Sequence, residues 1–595
     1  MRWSATLGAW TRREAVLVAV LAVAAGGVVL AEPLKAPWLV VAGVIVAGVG
    51  ALARGVVAVG RARVEGRRER IESTRRLRVA VAPVGEIDPT VVGVDPAAQI
   101  ILAGGRVPEY VECDVDARLR ESVAAGLLGR GPWLVVVVGA SKVGKSRALF
   151  EALRRCAPDD GLQLVAPVDG EALRALLLPG QDLRLGKAAA VLWLDDVEPF
   201  LNQGVTMQTL REWHAGGPGR IVAATYGGKG SDRIAGAGVT GLATIAADVL
   251  AHACEVPMMP STTGELGELR GRLPDVEVAA LERHGLAAYL VAGPALERKL
   301  TTARHAPGEP ACPEGVAVVY AAADWARCGR TDPIDDETLR RLWSAYLPAG
   351  VPGADDGFAN GLTWALLPVA GTISLLQRTG GYTAYDYVVR LVGDKPVAEP
   401  PRDPAWAAAI ETATDAEALS VGVAAYQWGR LDDAATGFDR ARASSTIDEV
   451  GAIAAYNLGV VSGELGRSED EVAVYEQVLD RYGADPTPAL REQVARALVN
   501  KGFRLGELGR SEDEVAVYEQ VLDRYGADPT PALRERVARA LVNKGFRLGE
   551  LGRSEDAVAV YEQVLDRYGA DPTPALRAVV ERAREVLAEL SDDTR

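Results

Sequence analysis

Histidine and cysteine are scarce in this chain, four and five among 595 residues. No histidine is spaced with a second His, Cys or acidic residue as a metal site requires. Cys113, Cys156, Cys254, Cys312 and Cys328 form no CxxC pair, so neither a zinc ribbon nor a disulfide framework is indicated. A basic balance is missing too: the formal net charge of −15 repels a polyphosphate backbone on average and argues against nucleic acid as a partner. The chain is too long for one hydrophobic core, and roughly three or four domains are expected.

Two long uncharged runs stand near the start, residues 15–31 and 36–53. Each would reach about 26 Å as a helix, within the range that spans a bilayer. Arg2, Arg12 and Arg13 precede the first run, six arginines from Arg54 to Arg70 follow the second, and the joining EPLKAPW has one lysine. That asymmetry predicts a transmembrane helical hairpin and basic juxtamembrane segment over residues 1–74, with both termini and the soluble domains on the cytoplasmic side of the cell (inner) membrane. A cleaved signal peptide ending at "VLA" (29–31) is the competing reading. The second apolar run that follows at once argues against it.

Residues 133–153 read WLVVVVGASKVGKSRALFEAL, a strand, a glycine-rich turn and an amphipathic helix. Gly139, Gly144, Lys145 and Ser146 satisfy G-x-x-x-x-G-K-[ST], with Ala140, Ser141, Lys142 and Val143 between them. Glycines at those points let backbone N–H groups curl around phosphates, Lys145 would meet the β and γ phosphates, and Ser146 would hold Mg²⁺. An acidic element is expected on a neighbouring strand, and AAAVLWLDDVEPF (188–200) supplies it. Asp195 would bind the metal, and Asp196 would orient or deprotonate an attacking water, with Glu198 as a substitute. A third apolar run, RIVAATY (220–226), carries Thr225 where it could touch the γ-phosphate or simply cap a strand. No LSGGQ-type signature is present, and the "NK" pairs at Asn500 and Asn543 lack the aspartate of NKxD. ATP is therefore favoured over GTP. These elements define a P-loop NTPase domain with its preceding segment over residues 75–245.

Residues 246–394 carry three helical patterns followed by GTISLLQ and YTAYDYVVRLV around Arg378, Thr379, Gly380 and Gly381, a hairpin signal. The order suggests a lid and winged-helix-like domain, but no helix in it is basic enough to read DNA. A proline-rich linker is expected over 395–412. From 413 to 595 the chain is an array: SEDEVAVYEQVLDRYGADPTPALRE begins at Ser468 and Ser511, nearly again at Ser554, with a period of 43 residues. The first two full units differ only at Gln493 against Arg536. Each unit contains two apolar-striped helices around a Gly-Arg turn, and such pairs stack into an α-solenoid with a protein-binding face.

Asn500, Gly502, Gly509, Val515, Tyr518 and Val521, and Asn457 to Tyr475 in the preceding unit, resemble the tetratricopeptide pattern. Together with Gly139 to Ser146, Asp195, Asp196 and Thr225, they make the chain resemble the bacterial STAND class of P-loop ATPases with C-terminal tetratricopeptide repeats. The resemblance implies ATP and Mg²⁺ as cofactors, nucleotide-dependent opening and homo-oligomerisation, and a protein partner sensed or recruited by the array. VAGP (291–294) would correspond to the family's lid motif. The alternative is a membrane-tethered tetratricopeptide adaptor with a non-hydrolysing nucleotide site.

Overall fold

The computed structural model of the chain describes residues 78–94, 110, 112–140, 142–157, 161–178, 185, 189–227, 242–259, 293–369, 373–393, 399–571 and 573–593. The two apolar runs, their basic flank, Ser141 and the first half of VAGP lie outside the described residues. Among the described residues no helix is long and apolar enough to cross a membrane. From Ala80 on, residues 80–181 and 185–595 make one compact unit.

Its first part is a six-stranded sheet of β1 (Val79–Pro83), β2 (Leu134–Val138), β3 (Gln163–Pro167), β4 (Ala190–Leu194), β5 (Arg220–Tyr226) and β6 (Cys254–Pro257). The strand order is β1-β3-β4-β5-β2-β6. Parallel ladders join β3 to β4, β4 to β5, β5 to β2 and β2 to β6, with Val137 opposite Thr225. Helices α1 (Asp116–Leu127), α2 (Lys145–Cys156), α3 (Gly170–Leu177), α4 (Glu198–Asn202), α5 (Met207–Ala215) and α6 (Ile245–Ala251) make the crossovers. Helices on the sheet explain why LVVVV and AVLWL are continuous apolar runs rather than alternating ones. One consequence departs from the sequence expectation: the acidic strand β4 is not the neighbour of β2, because β5 lies between them. Both β4 and β5 are buried almost throughout, so apolar pattern alone does not rank their neighbours. The short strands β1, β3 and β6, each ending in proline, were not anticipated.

The second part holds α7 (Gly293–Thr302), α8 (Pro313–Arg327), α9 (Asp336–Trp343), α10 (Asp355–Leu366), an antiparallel hairpin of β7 (Leu376–Arg378) and β8 (Tyr382–Ala384), and α11 (Asp386–Gly393). The Asp335 carboxylate caps α9 by accepting from Thr338 N at 2.8 Å, which satisfies a helix-start donor. Part of the expected linker is instead α12 (Asp403–Thr412). Pro404 is tolerated in its first turn, where no intrahelical donor is needed, and Trp406 is buried. The buried Asp324 carboxylate ties this helix back by accepting from Tyr346 Oη at 2.7 Å and Arg402 N at 3.2 Å. Arg330 reaches Thr412 Oγ1 at 2.8 Å and Ala409 O at 3.1 Å.

The array comprises α13 (Asp415–Gln427), α14 (Leu431–Ser444), α15 (Asp448–Glu464), α16 (Ser468–Tyr482), α17 (Pro488–Glu507), α18 (Ser511–Tyr525), α19 (Pro531–Glu550), α20 (Ser554–Tyr568) and α21 (Pro574–Asp593). Gly429, Gly466, Gly509 and Gly552 turn each pair with φ of 73°, 72°, 74° and 74°, a left-handed conformation that suits glycine. Arg504 pairs with Glu471 and Arg547 with Glu514, the same bond one unit apart. The third unit has Ala557 where the others have the glutamate, which ends that series.

The array docks on the sheet domain. Ser420, on α13, donates to Asn202 Oδ1, and Asn202 Nδ2 also donates to Thr331 Oγ1 of the second part at 3.1 Å. Glu449, on α15, is buried near Thr206, Arg211 and Asp248. Burial, then Asp248, push its carboxyl from an ordinary 4.5 up to about 7, against the pull of Thr206 and Arg211. A carboxyl raised in the folded state stabilises fully below its ordinary value, and that contribution is lost as pH climbs through about 7. Denaturant unfolding at pH 5, 6.5 and 8 should therefore show wild type losing roughly 2 kcal/mol more than Glu449→Gln across the range. Parallel pH curves for the two proteins would contradict this.

Candidate nucleotide-binding site

Strand β2 delivers the chain to the C-terminal edge of the sheet, where Gly139 N donates to Tyr226 O at 3.2 Å. The turn that follows places Lys142 and Gly144 at φ 61° and 102°, and α2 starts at Lys145. Its N-terminal N–H groups and macrodipole face the turn, the arrangement that receives anions. Lys145 is only 6% exposed, and its Nζ donates to the Ala140 carbonyl at 3.1 Å. The lysine thus already lies inside the curl of the loop.

Three residues from three elements meet beside it. Ser146 Oγ, on α2, donates to Asp195 Oδ1 at 2.5 Å, and Thr225 Oγ1, on β5, donates to the same oxygen at 2.9 Å. The Thr225 hydroxyl also accepts from Asp196 N at 2.8 Å, and its carbonyl accepts from Val197 N at 2.8 Å. Thr225 is wholly buried. It therefore does cap a strand end, and it does so against the acidic pair rather than against its own helix. Asp196 takes φ 46°, a backbone state that an aspartate tolerates better than most residues.

Burial, then the Asp196 charge, push the Asp195 carboxyl from 3.8 up to about 7, while the Ser146 and Thr225 hydroxyls and Lys142 pull it down. Glu198 is raised to about 7 by burial and by Asp196. Its Oε1 accepts from Gly227 N at 2.6 Å, and its buried Oε2 has no hydrogen-bond partner.

Two further segments reach the site, and neither was legible in the sequence. Lys142 Nζ lies 4.5 Å from the ring centre of Tyr385, and Asp386, the first residue of α11, adds to the raising of Glu198. From the other direction, Trp193 Nε1 donates to Val92 O at 2.8 Å. Gly93, at φ 91°, packs so tightly that a methyl group there would fall 1.8 Å from Asp195 Oδ2. Nothing in "TVVGV" or "TAYDY" marks these residues, because their relevance comes from tertiary approach. Ser141 lies outside the described residues.

The donor set of hydroxyl and carboxylate oxygens at Ser146 and Asp195 suits a hard divalent cation. Among the described residues no cluster of three or more His, Cys, Asp or Glu is arranged to hold an ion by itself. A cation held by Ser146 and Asp195 would take the rest of its shell from water or from a bound phosphate.

No protein-family model and no curated protein matches the chain. Among solved structures the chain is similar to a Signal Transduction ATPase with Numerous Domains (STAND) protein with a tetratricopeptide repeat sensor from Pyrococcus horikoshii, at 12% identity and a TM-score of 0.26, over 82% of this chain and 80% of that one. A similarity of that size carries no argument, and the function is read from the geometry at Lys145, Ser146, Asp195 and Thr225.

Thr225→Val keeps the volume but removes both hydroxyl bonds, leaving the part-buried Asp196 N–H without its acceptor. Urea unfolding should show a loss of about 1–3 kcal/mol, with Thr225→Ser close to wild type. A valine variant within about 0.5 kcal/mol of wild type would mean that the hydroxyl does not hold the acidic pair.

Proposed function

We propose that the chain is a membrane-anchored, ATP-binding signalling switch of the STAND type, whose winged-helix-like domain and repeat array follow the nucleotide state and whose array senses or recruits a protein partner. The observation that carries the reading is the convergence of Ser146, Asp195 and Thr225 on one carboxylate oxygen beside Lys145. A phosphate loop of the right spacing can be a glycine-rich turn, but that reading does not account for an acid held against the loop serine by a second strand.

In this reading the backbone of Gly139, Ala140, Ser141, Lys142, Val143 and Gly144 cradles the phosphates. Lys145 would serve the β and γ oxygens, and Ser146 and Asp195 would hold Mg²⁺. The cation supplies charge neutralisation across the phosphates. Asp196, whose backbone N–H donates to Thr225 Oγ1, would orient water. Lys142 stands between the loop and Tyr385, so a change at the phosphates alters how the second domain packs. A nucleotide shifts that packing only by its differential affinity for the two arrangements. The anchor, residues 15–31 and 36–53, would hold the switch at the inner membrane and favour assembly of several copies.

The Glu198 carboxyl accepts from Gly227 N and is raised to about 7 by burial and by Asp196, a proton affinity that suits a base near neutral pH. Glu198 would therefore stand as a substitute for Asp196 in activating water.

The test uses the full-length chain, with radiolabelled ATP binding and turnover measured beside light scattering. Lys145→Ala should weaken binding by about tenfold or more and abolish any ATP-dependent change of mass. Asp195→Asn should remove the Mg²⁺ dependence. Equal binding by wild type and Lys145→Ala would overturn the nucleotide reading.

A further inference from the structure

The first junction of the array departs from the two that follow it at a few positions, and those departures meet in one place. The turn glycines Gly429, Gly466 and Gly509 align α14 with α16 and α18, and Asn457, Asn500 and Asn543 align α15 with α17 and α19. In that register Arg442 on α14 stands where α16 and α18 have Leu479 and Leu522. Ala455 on α15 stands where α17 and α19 have Leu498 and Leu541, both fully buried. Asp448 stands where they have Arg491 and Arg534, whose guanidiniums cover the rings of Tyr525 and Tyr568 at 5.6 Å.

Alanine in place of a core leucine and an aspartate in place of a covering arginine leave space unfilled. An open recess of about 360 Å³ lies there, lined by the buried Ala455 and Tyr482 and by the more exposed Arg442, Gln477, Asp480 and Arg481. Its volume falls in the range of small-molecule sites, roughly 300–1,000 Å³. Both arginines are held in place: Arg442 donates to Gln477 Oε1 at 3.1 Å and to Asp439 Oδ1 at 2.5 Å, and Arg481 donates to Asp448 Oδ1 at 3.2 Å. A guanidinium carries five N–H donors, so each keeps donors for a further acceptor. The Tyr482 hydroxyl is buried without a hydrogen-bond partner, and among the described residues nothing pairs with the Asp480 carboxylate.

The next junction supplies an internal control. Gln477, Asp480, Arg481 and Tyr482 recur unchanged as Gln520, Asp523, Arg524 and Tyr525. Those four side chains are therefore common to both junctions, while the space and the second guanidinium belong to the first alone. The recess offers both signs of charge, donors from Arg442 and Arg481 and an acceptor in Asp480. A simple anion would meet the Asp480 charge, and a simple cation would meet two arginines. A zwitterion satisfies both: its carboxylate takes paired guanidinium N–H donors, its ammonium faces Asp480, and its carbon skeleton lies on Ala455.

We infer that the recess among α14, α15 and α16 is a binding site for a small zwitterion, a free amino acid, with its carboxylate on Arg442 and Arg481 and its ammonium on Asp480. This goes beyond the nucleotide and partner reading and does not rest on it. The position of the recess gives the binding a consequence. Helix α15, which supplies Ala455, also carries Glu449, buried against the sheet domain, so an occupant bears on the helix that docks the array.

The experiment is calorimetric titration of the full-length chain with each standard amino acid, and with succinate and putrescine as ligands of one sign. At least one amino acid should bind with one site per chain, and succinate and putrescine should bind more weakly or not at all. Ala455→Leu fills the recess with the side chain that α17 and α19 already carry there, and it should abolish the binding. Arg442→Leu likewise writes the residue of the next junction and should weaken binding about tenfold or more. Asp480→Asn, at an exposed position, should weaken amino-acid binding and erase the advantage over succinate. Urea unfolding of each variant shows that the fold is kept. No amino acid bound by wild type, succinate or putrescine bound as tightly as the best amino acid, or affinity unchanged in folded Ala455→Leu and Arg442→Leu would overturn the inference. The same titration on Lys145→Ala should match wild type, which separates the recess from the nucleotide site; binding lost there would overturn their independence.

Discussion

Everything around the loop depends on the burial of one carboxylate. Asp195 sits at the end of β4, part-buried against Ser146, Thr225 and Gly93, and a charge held there without partners would be costly. Its Oδ1 receives two hydroxyls, one from the helix after the loop and one from the strand between β4 and β2. The hydroxyls require α2 to begin at Lys145 and β5 to separate the other two strands. The same crowding accounts for Gly93, since no larger residue fits against Asp195 Oδ2. An acid kept near neutrality by burial and by Asp196 is one whose charge state a divalent cation would change.

The remaining architecture couples that cluster to the array. Lys142 joins the loop to Tyr385. Asp324 and Arg330 tie the second domain to α12, and Arg330 also pairs with Glu417 on α13, the first array helix, at 3.3 Å. Asn202 and Glu449 then bring the array back onto the sheet domain. The contacts form a ring: loop, second domain, array, sheet domain. In a ring of this kind a shift at the loop cannot stay local, because packed interfaces do not deform smoothly.

Much of this was legible from residue patterns, for identifiable reasons. The valine run before Gly139, the double acid after AVLWL and the 43-residue identity are local signals, and each names an element by itself. The repeats were plainest because Gly466, Gly509 and Gly552 mark every turn in the same left-handed state. What was not legible depends on tertiary choice. Whether β4 or β5 flanks β2 is a matter of pairing between equally apolar strands. Proline-flanked α12 read as a linker because Pro404 signals a break unless it falls in a first turn. Gly93, Tyr385 and Asp386 have ordinary neighbours in sequence and acquire meaning only when the fold carries them to Asp195 and Glu198. The membrane hairpin rests on composition alone, since residues 15–31 and 36–53 lie outside the described residues.

The central claim is that one nucleotide site, built on Lys145, Ser146, Asp195 and Thr225, is mechanically tied to the array. Hydrogen–deuterium exchange of the full-length chain with and without Mg²⁺ and ATP tests it most directly. The account predicts slowed exchange over residues 139–149, 194–198 and 224–227, together with altered exchange at 242–247 and along α15. Protection at the loop with an unchanged array would break the tie, and no change at 139–149 would contradict the site itself.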